Sequence, residues 1–281
     1  MSKISQDGIS EYRGKGLLFP VPALTPAEVE RFRGELEAVE ARFGGRPDVV
    51  QVSQLHLNFS WAYELSTHPA VLDAVEDVLG PDLLVWATGA FTKYPRDRSY
   101  VSWHQDGTYW GLESDQVTTA WIALSDSTVE NGCMRGVPGS HRLPIQRHVD
   151  THAEANLLSR GQEIQVDVDE ADAVDIVLRA GEISLHDVKI IHGSNANPSD
   201  TKRIGFTVRY ISPQVSQTGE MEVQPAILAR GEDRYGNFAL VDPPPVGRDF
   251  EDSLRIHEET SRKHRQALLD TKGGYEQGER Q

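Results

Sequence analysis

The sequence predicts an α+β fold, mainly β, in which a sandwich or barrel of short strands has helices laid against one sheet. Three observations lead there. Helical periodicity appears in two stretches within residues 25–80 and returns only near the C-terminus. From Leu83 onward the chain changes to short apolar runs broken by turn residues. Two of those runs carry one apolar and one polar face, the pattern of strands packed on one side. Helices first and strands after is the order of an α+β domain.

Taken in order, residues 16–22 form an apolar opening strand. Thr25-Pro26 supplies a helix cap followed by proline at the first helical position. Val29, Phe32, Leu36 and Val39 carry that helix to about Phe43. Residues 49–61 show no clear period. A second helix starts at Thr67-His68-Pro69, carries Val71, Leu72, Val75 and Leu79, and stops at Gly80-Pro81. Strands are predicted over 83–94, 100–104, 117–124, 133–137, 163–168, 173–178, 182–186, 189–192 and 203–212. In the last of these, Ile204, Phe206, Val208 and Tyr210 form the apolar face; Arg203, Gly205, Thr207 and Arg209 form the other. Residues 144–162 are polar and read as an inserted loop, a candidate lid. Pro243-Pro244-Pro245 breaks structure, residues 252–269 read as a charged surface helix, and 271–281 as a disordered tail. No repeat and no long linker divides the chain. Residues 1–281 are therefore expected to form one domain with its core at 83–212.

Composition narrows the function. Asp and Glu number 43 against 28 Lys and Arg, a net charge of -15, which is a poor footprint for nucleic acid or an anionic membrane. No apolar run approaches the roughly 18 residues of a membrane span, and the N-terminus lacks a signal-peptide apolar region. The single cysteine, Cys133, has no partner for an intramolecular bridge and excludes a cysteine-built zinc or iron–sulfur site. A soluble cytoplasmic protein acting on a small molecule is the expectation, with its oligomeric state open.

The chemistry centres on Ser102-Trp103-His104-Gln105-Asp106-Gly107. If this is a strand running into a glycine turn, His104 and Asp106 share a face, roughly 6.6 Å apart along the backbone. An imidazole and a carboxylate so placed can hold one metal ion. His192, in Ile191-His192-Gly193-Ser194, is the best third ligand. Two histidines and one carboxylate on one side of an ion leave the opposite positions open, the facial arrangement of non-haem Fe(II) oxygenases. An ordinary imidazole–carboxylate hydrogen bond, with a packed His192, is the plain alternative.

The order His104-x-Asp106, Trp121, Glu130-Asn131-Gly132-Cys133, Pro138-Gly139-Ser140-His141, His192-Gly193-Ser194 and Arg203 resembles the phytanoyl-CoA dioxygenase family of Fe(II)- and 2-oxoglutarate-dependent oxygenases. The resemblance covers about residues 83–212. It implies a double-stranded β-helix, a cupin-like jelly roll with the metal at its open end. It implies that His104, Asp106 and His192 ligate Fe(II), and that Arg203, eleven residues after His192, grips the distal carboxylate of 2-oxoglutarate. Ser194, Trp121 and Lys93 match other positions of the co-substrate pocket, though Trp121 equally suits a core. Dioxygen is the second co-substrate. The implied reaction is hydroxylation of a C–H bond of a small metabolite, with release of succinate and CO2. The segment 102–112 resembles the bacterial small-molecule branch, which includes oxygenases of natural-product intermediates and of aminoalkylphosphonates. Halogenating relatives carry a small residue where Asp106 stands, so the carboxylate argues for oxygen transfer.

An alternative keeps the metal but not the co-substrate: a cupin-like isomerase or dioxygenase in which Arg203 is incidental. For the substrate pocket the candidates are His56, Asn58, Trp61, Tyr109 and Trp110, each also at home in packing. His186 reads as a hydrogen-bonded strand histidine. Arg209 shares Arg203's face but lies roughly 20 Å further along an extended strand, too far for a second co-substrate contact.

Overall fold

A computed structural model of the chain describes residues 3–108, 110–113, 116–158, 161–165, 168–217 and 224–270. Its helices are α1 (Gln6–Lys15), α2 (Pro26–Arg42), α3 (Ser60–Ser66), α4 (Pro69–Leu79) and α5 (Phe250–Asp270). Its strands are β1 (Leu17–Pro22), β2 (Leu83–Lys93), β3 (Val101–His104), β4 (Val117–Ala123), β5 (Met134–Gly136), β6 (His148–Asp150), β7 (Gln162–Ile164), β8 (Val174–Ile176), β9 (Glu182–Asp187), β10 (His192–Ser194), β11 (Arg203–Ile211), β12 (Pro225–Arg230) and β13 (Ala239–Leu240).

The predicted helices start where their caps say. Thr25 Oγ1 accepts from Glu28 N at 3.3 Å, and Glu28 reaches back to Thr25 N at 2.7 Å, a reciprocal capping box. Val29, Phe32, Leu36 and Val39 are all buried. Helix α4 begins at Pro69 and ends before Gly80. Two helices were not legible. Helix α1 buries only Ile9 and Tyr12, too few to print a period, although Ser5 caps it and Gly16 closes it with φ of 71°. Helix α3 buries Trp61, Ala62, Leu65 and Ser66 on several sides, so no polar face reveals its turn.

Seven strands form one sheet in the order β1-β9-β4-β11-β2-β12-β13, and four form a second, β3-β10-β5-β8. Apart from the β12–β13 pair, neighbours are antiparallel. Leu17, Trp121 and Ala123 of the large sheet pack with Met134 and Ile176 of the small one. The two sheets thus enclose a space between them, the jelly-roll arrangement. On the outer face of the large sheet, Ile204, Phe206, Val208 and Tyr210 of β11 join Phe32, Leu36, Trp61 and Leu72 of the helices in one core. The alternation read from β11 therefore sorts correctly: apolar side to the helices, Arg203, Gly205, Thr207 and Arg209 to the interior.

Strand 189–192 is corrected. Residues after Asp187 turn, with Ile190 N donating to Asp187 O at 3.1 Å and Lys189 N to Asp187 Oδ1 at 2.8 Å, and pairing resumes only at His192. The polar insert is not wholly loop: β6 and β7 pair, and Asn156 bridges to Tyr100. The tail 271–281 lies outside the described residues. Among the described residues no helix is long and apolar enough to cross a membrane.

Three expected pocket residues belong to the helical layer instead. His56 is fully buried and its Nδ1 meets Thr88 Oγ1 at 3.0 Å. Asn58 Nδ2 reaches His257 and Thr260, tying α5 to the core. Trp61 packs on Phe59 and Phe206. The irregular stretch that carries them lies on the outer face of the large sheet, away from the cavity between the sheets.

His56 makes the fold pH-sensitive. Burial lowers its imidazole to about 3. Unfolded, it takes a proton below about 6.5, and the native state refuses it until about 3. The unfolded chain binds the extra proton, so stability falls as pH drops through that window, by roughly 1.4 kcal/mol per pH unit. Urea unfolding at about pH 7 and about pH 5 is expected to show this slope in the parent and a shallower one in His56→Gln.

Candidate active site

The cavity between the sheets is lined by His104, Asp106, His192, Ser194, Arg203 and Trp121, together with Phe91, Thr119, Met134, Leu158, His186, Thr207 and Arg209. The antiparallel register puts His192 opposite His104 across β10 and β3. Gly193 makes that closeness possible, since a Cβ there would stand 2.9 Å from Val101 O. Asp106 arrives differently from the sequence reading. Strand β3 ends at His104, and Asp106 opens a 3₁₀ turn (Asp106–Thr108). The turn is clamped by Gly107 N to Val188 O at 3.0 Å and by Gln105 Nε2 to Lys189 O at 2.8 Å.

Ligand atoms of His104, Asp106 and His192 all lie within 4.8 Å of one another. His104 Nε2 stands 3.4 Å from Asp106 Oδ1, and the two imidazole centroids are 4.1 Å apart. Each ring is oriented by its other nitrogen. His104 Nδ1 donates to Ser102 O at 2.9 Å and His192 Nδ1 to Ile190 O at 3.1 Å. A carbonyl only accepts, so each Nδ1 carries the proton and each Nε2 is left a free lone pair facing the cavity. Burial, then the neighbouring His104, hold His192 well below its ordinary 6.5 and keep it neutral. Burial pushes Asp106 upward, but its contacts with His104 and His186, with His192 and Arg209 nearby, carry it well below the usual carboxylate range. A carboxylate and two imidazoles that each turn Nε2 inward fit a divalent transition metal. Among the described residues this is the cluster of His, Cys, Asp and Glu groups so placed.

Arg203 is 2% exposed, at the far end of the same cavity face. Its Nη1 donates to Gly132 O at 2.7 Å, its Cζ lies 5.3 Å from the Trp121 ring, and its Nε has no partner. An orphaned buried donor is what a guanidinium waiting for a carboxylate looks like. Lys93 sits beside it but does not line the cavity. Its Nζ donates to Ser194 Oγ at 2.6 Å, to Gly132 O at 3.3 Å and to Asn195 O. Lys93 therefore positions Ser194 and the Gly132 loop. Burial and then Arg203's charge push its ammonium down to about 6.

Trp121 crosses β11 at Gly205, and a Cβ there would come within 1.9 Å of the indole. Gly205→Ala is thus expected to displace Trp121 and cost about 1–3 kcal/mol by overpacking, read by urea unfolding and by a shifted indole emission.

Of the other expected residues, Trp110 is packed on Trp86 outside the cavity, and Tyr109 lies outside the described residues. Two further residues line the cavity, and the first runs against the sequence reading. His186 faces the cavity, its Nε2 3.9 Å from Asp106 Oδ2 and its Nδ1 unpartnered. Arg209 lines the cavity as well, because the cavity runs along the inner face of β11 instead of capping one end. Phe91, Thr119, Met134 and Leu158 gave no signal, being ordinary strand or loop residues until the sheets close.

The profile of the phytanoyl-CoA dioxygenase family matches residues 12–205. The solved apo structure of the non-heme monooxygenase ThoJ is similar with a TM-score of 0.78 and 36% identity, covering 93% of this chain and 97% of that one. The non-heme alpha-ketoglutarate dependent carbocyclase SnoK from nogalamycin biosynthesis gives 0.62 and 26%, covering 78% and 88%. A phytanoyl-CoA dioxygenase domain-containing protein 1 homolog of Dictyostelium discoideum is 35% identical over 117 residues, 40% of either chain. The chain spans 40% and 66% of the length of the first two curated relatives it matches.

Proposed function

This chain belongs to the phytanoyl-CoA dioxygenase family, and on that premise we propose that it is an Fe(II)- and 2-oxoglutarate-dependent oxygenase that hydroxylates a C–H bond of a small metabolite. One observation carries the reading: two Nε2 lone pairs and one carboxylate converge in a buried cavity that also holds a guanidinium with a free Nε. His104, Asp106 and His192 would hold the iron, and Arg203 would take the distal carboxylate of 2-oxoglutarate. Iron, 2-oxoglutarate and dioxygen would supply the oxidising chemistry there, with succinate and CO2 as co-products of hydroxylation.

The chain's own residues orient and exclude. Ser102 O and Ile190 O fix both imidazoles with Nε2 turned toward the metal position. The planar fork of Arg203 offers parallel donors, and the Gly132 carbonyl anchors it from behind. Ser194, held by Lys93, presents a hydroxyl on the same wall. Trp121 closes the side of the cavity next to Arg203 and keeps water from the guanidinium.

Anaerobic titration with Fe(II) and 2-oxoglutarate tests this reading. A weak visible charge-transfer band is expected, followed by succinate release across a panel of natural-product intermediates and phosphonates once oxygen is admitted. A protein that takes up iron but gives no band counts against it.

A further inference from the structure

We infer that Arg209 is the anchor for an anionic group on the substrate, a carboxylate or phosphonate, at the end of the cavity opposite Arg203. The inference rests on the oxygenase reading only for the word substrate; the anion site itself rests on geometry.

Arg209 faces the same cavity as the metal cluster. Its register partners place it: β11 pairs Arg209 with Ala87 and Thr119, whereas Arg203 pairs with Lys93 at the other end of β2. The guanidinium lies with Cζ 4.9 Å from the Trp110 ring, and Trp110 is backed by Trp86 at 5.3 Å between centroids. That stack supports a cation on an apolar wall. Yet no described side chain ion-pairs with it, and its buried Nε has no hydrogen-bond partner. The carboxylate whose charge it feels is Asp106, a metal ligand in the proposed function.

Charge balance then sets the class of ligand. With the centre loaded, the two charges of iron and the one of Arg203 are matched by Asp106 and the two carboxylates of 2-oxoglutarate. Nothing remains for Arg209. Arg209 is partly buried, and its buried Nε without a hydrogen-bond or ion-pair partner is costly unless a partner arrives. Its planar fork matches the paired oxygens of a carboxylate or phosphonate. Such an anchor holds one end of a substrate while its other end reaches the metal. It also selects against neutral analogues, whose binding would leave the guanidinium dry and unpaired.

Calorimetric titration of methylphosphonate and acetate into the full chain, loaded with Ni(II) in place of iron and with 2-oxoglutarate, tests this. Methylphosphonate is expected to bind and its uncharged dimethyl ester not to. Arg209→Gln should weaken methylphosphonate at least roughly tenfold, and Arg209→Lys, which keeps the charge without the fork, by less. 2-Oxoglutarate affinity should stay within about twofold in both, which also reports that the variants fold. Arg203→Gln should show the reverse pattern. Equal binding of the ester, no binding of either anion to the parent, or unchanged binding in Arg209→Gln overturns the assignment. A parent that fails to take 2-oxoglutarate, yet binds methylphosphonate through Arg209, sinks the oxygenase reading and leaves the anion site standing.

Discussion

Asp106→Ala is expected to lower iron affinity by more than about a hundredfold and to abolish succinate release. Losing a residue that merely orients a ligand costs about tenfold to a hundredfold in metal affinity, and Asp106 is the only anion of the proposed set. Its removal leaves two imidazoles, which hold a divalent metal weakly and without charge compensation. The surrounding fold should survive. The 3₁₀ turn is fixed by Gln105 Nε2 and Gly107 N, neither of which depends on the carboxylate. What does change is the field: the Asp106 charge supports the protonated forms of His192 and Arg209. Without it, His192 is expected to stay neutral to lower pH than in the parent. Metal titration by calorimetry, beside thermal unfolding of the metal-free protein, separates the two effects. Parent-like iron binding in the variant would mean that Asp106 is not a metal ligand.

The same residue shows how far sequence reading goes. The pair His104 and Asp106 was legible from its spacing, but for a reason that turns out different. Strand alternation would put both side chains on one face, whereas the structure ends β3 at His104 and brings Asp106 round on a turn. Local geometry offered two routes to one contact, and residue type decided the outcome. Strand β11 was legible for the reason given, since a period of two with one face apolar has a single way to pack. His56, Asn58 and Trp61 were misplaced because polar and aromatic residues in an irregular stretch do not announce which side of the sheet they lie on. Arg209 was placed on Arg203's face and away from its contact, and the structure adds that both line one cavity. Long-range closure, not local pattern, determines such neighbours, and a single sequence carries little trace of it.

Arg203→Gln is expected to separate binding from stability. 2-Oxoglutarate affinity should fall by roughly thirtyfold or more, since truncating one partner of a buried charge-assisted pair costs about 2 kcal/mol at least. Thermal stability of the ligand-free protein should not fall with it. Burial pulls the Arg203 guanidinium down to about 10, which means the folded state disfavours the charge that the unfolded chain carries freely. Glutamine removes that charge and fills part of the space. The Gly132 carbonyl that Arg203 satisfies keeps a donor, because Lys93 Nζ stands 3.3 Å from it. A structural arginine would behave oppositely, losing stability on replacement and leaving co-substrate affinity untouched. Differential scanning calorimetry and 2-oxoglutarate titration on the same preparation therefore discriminate. A lowered midpoint with parent-like 2-oxoglutarate binding would assign Arg203 to the core, and with it the metal-only alternative would regain its case. The expected pattern, a weaker ligand on an equally stable fold, fits a side chain kept in an unfavourable place for what it binds.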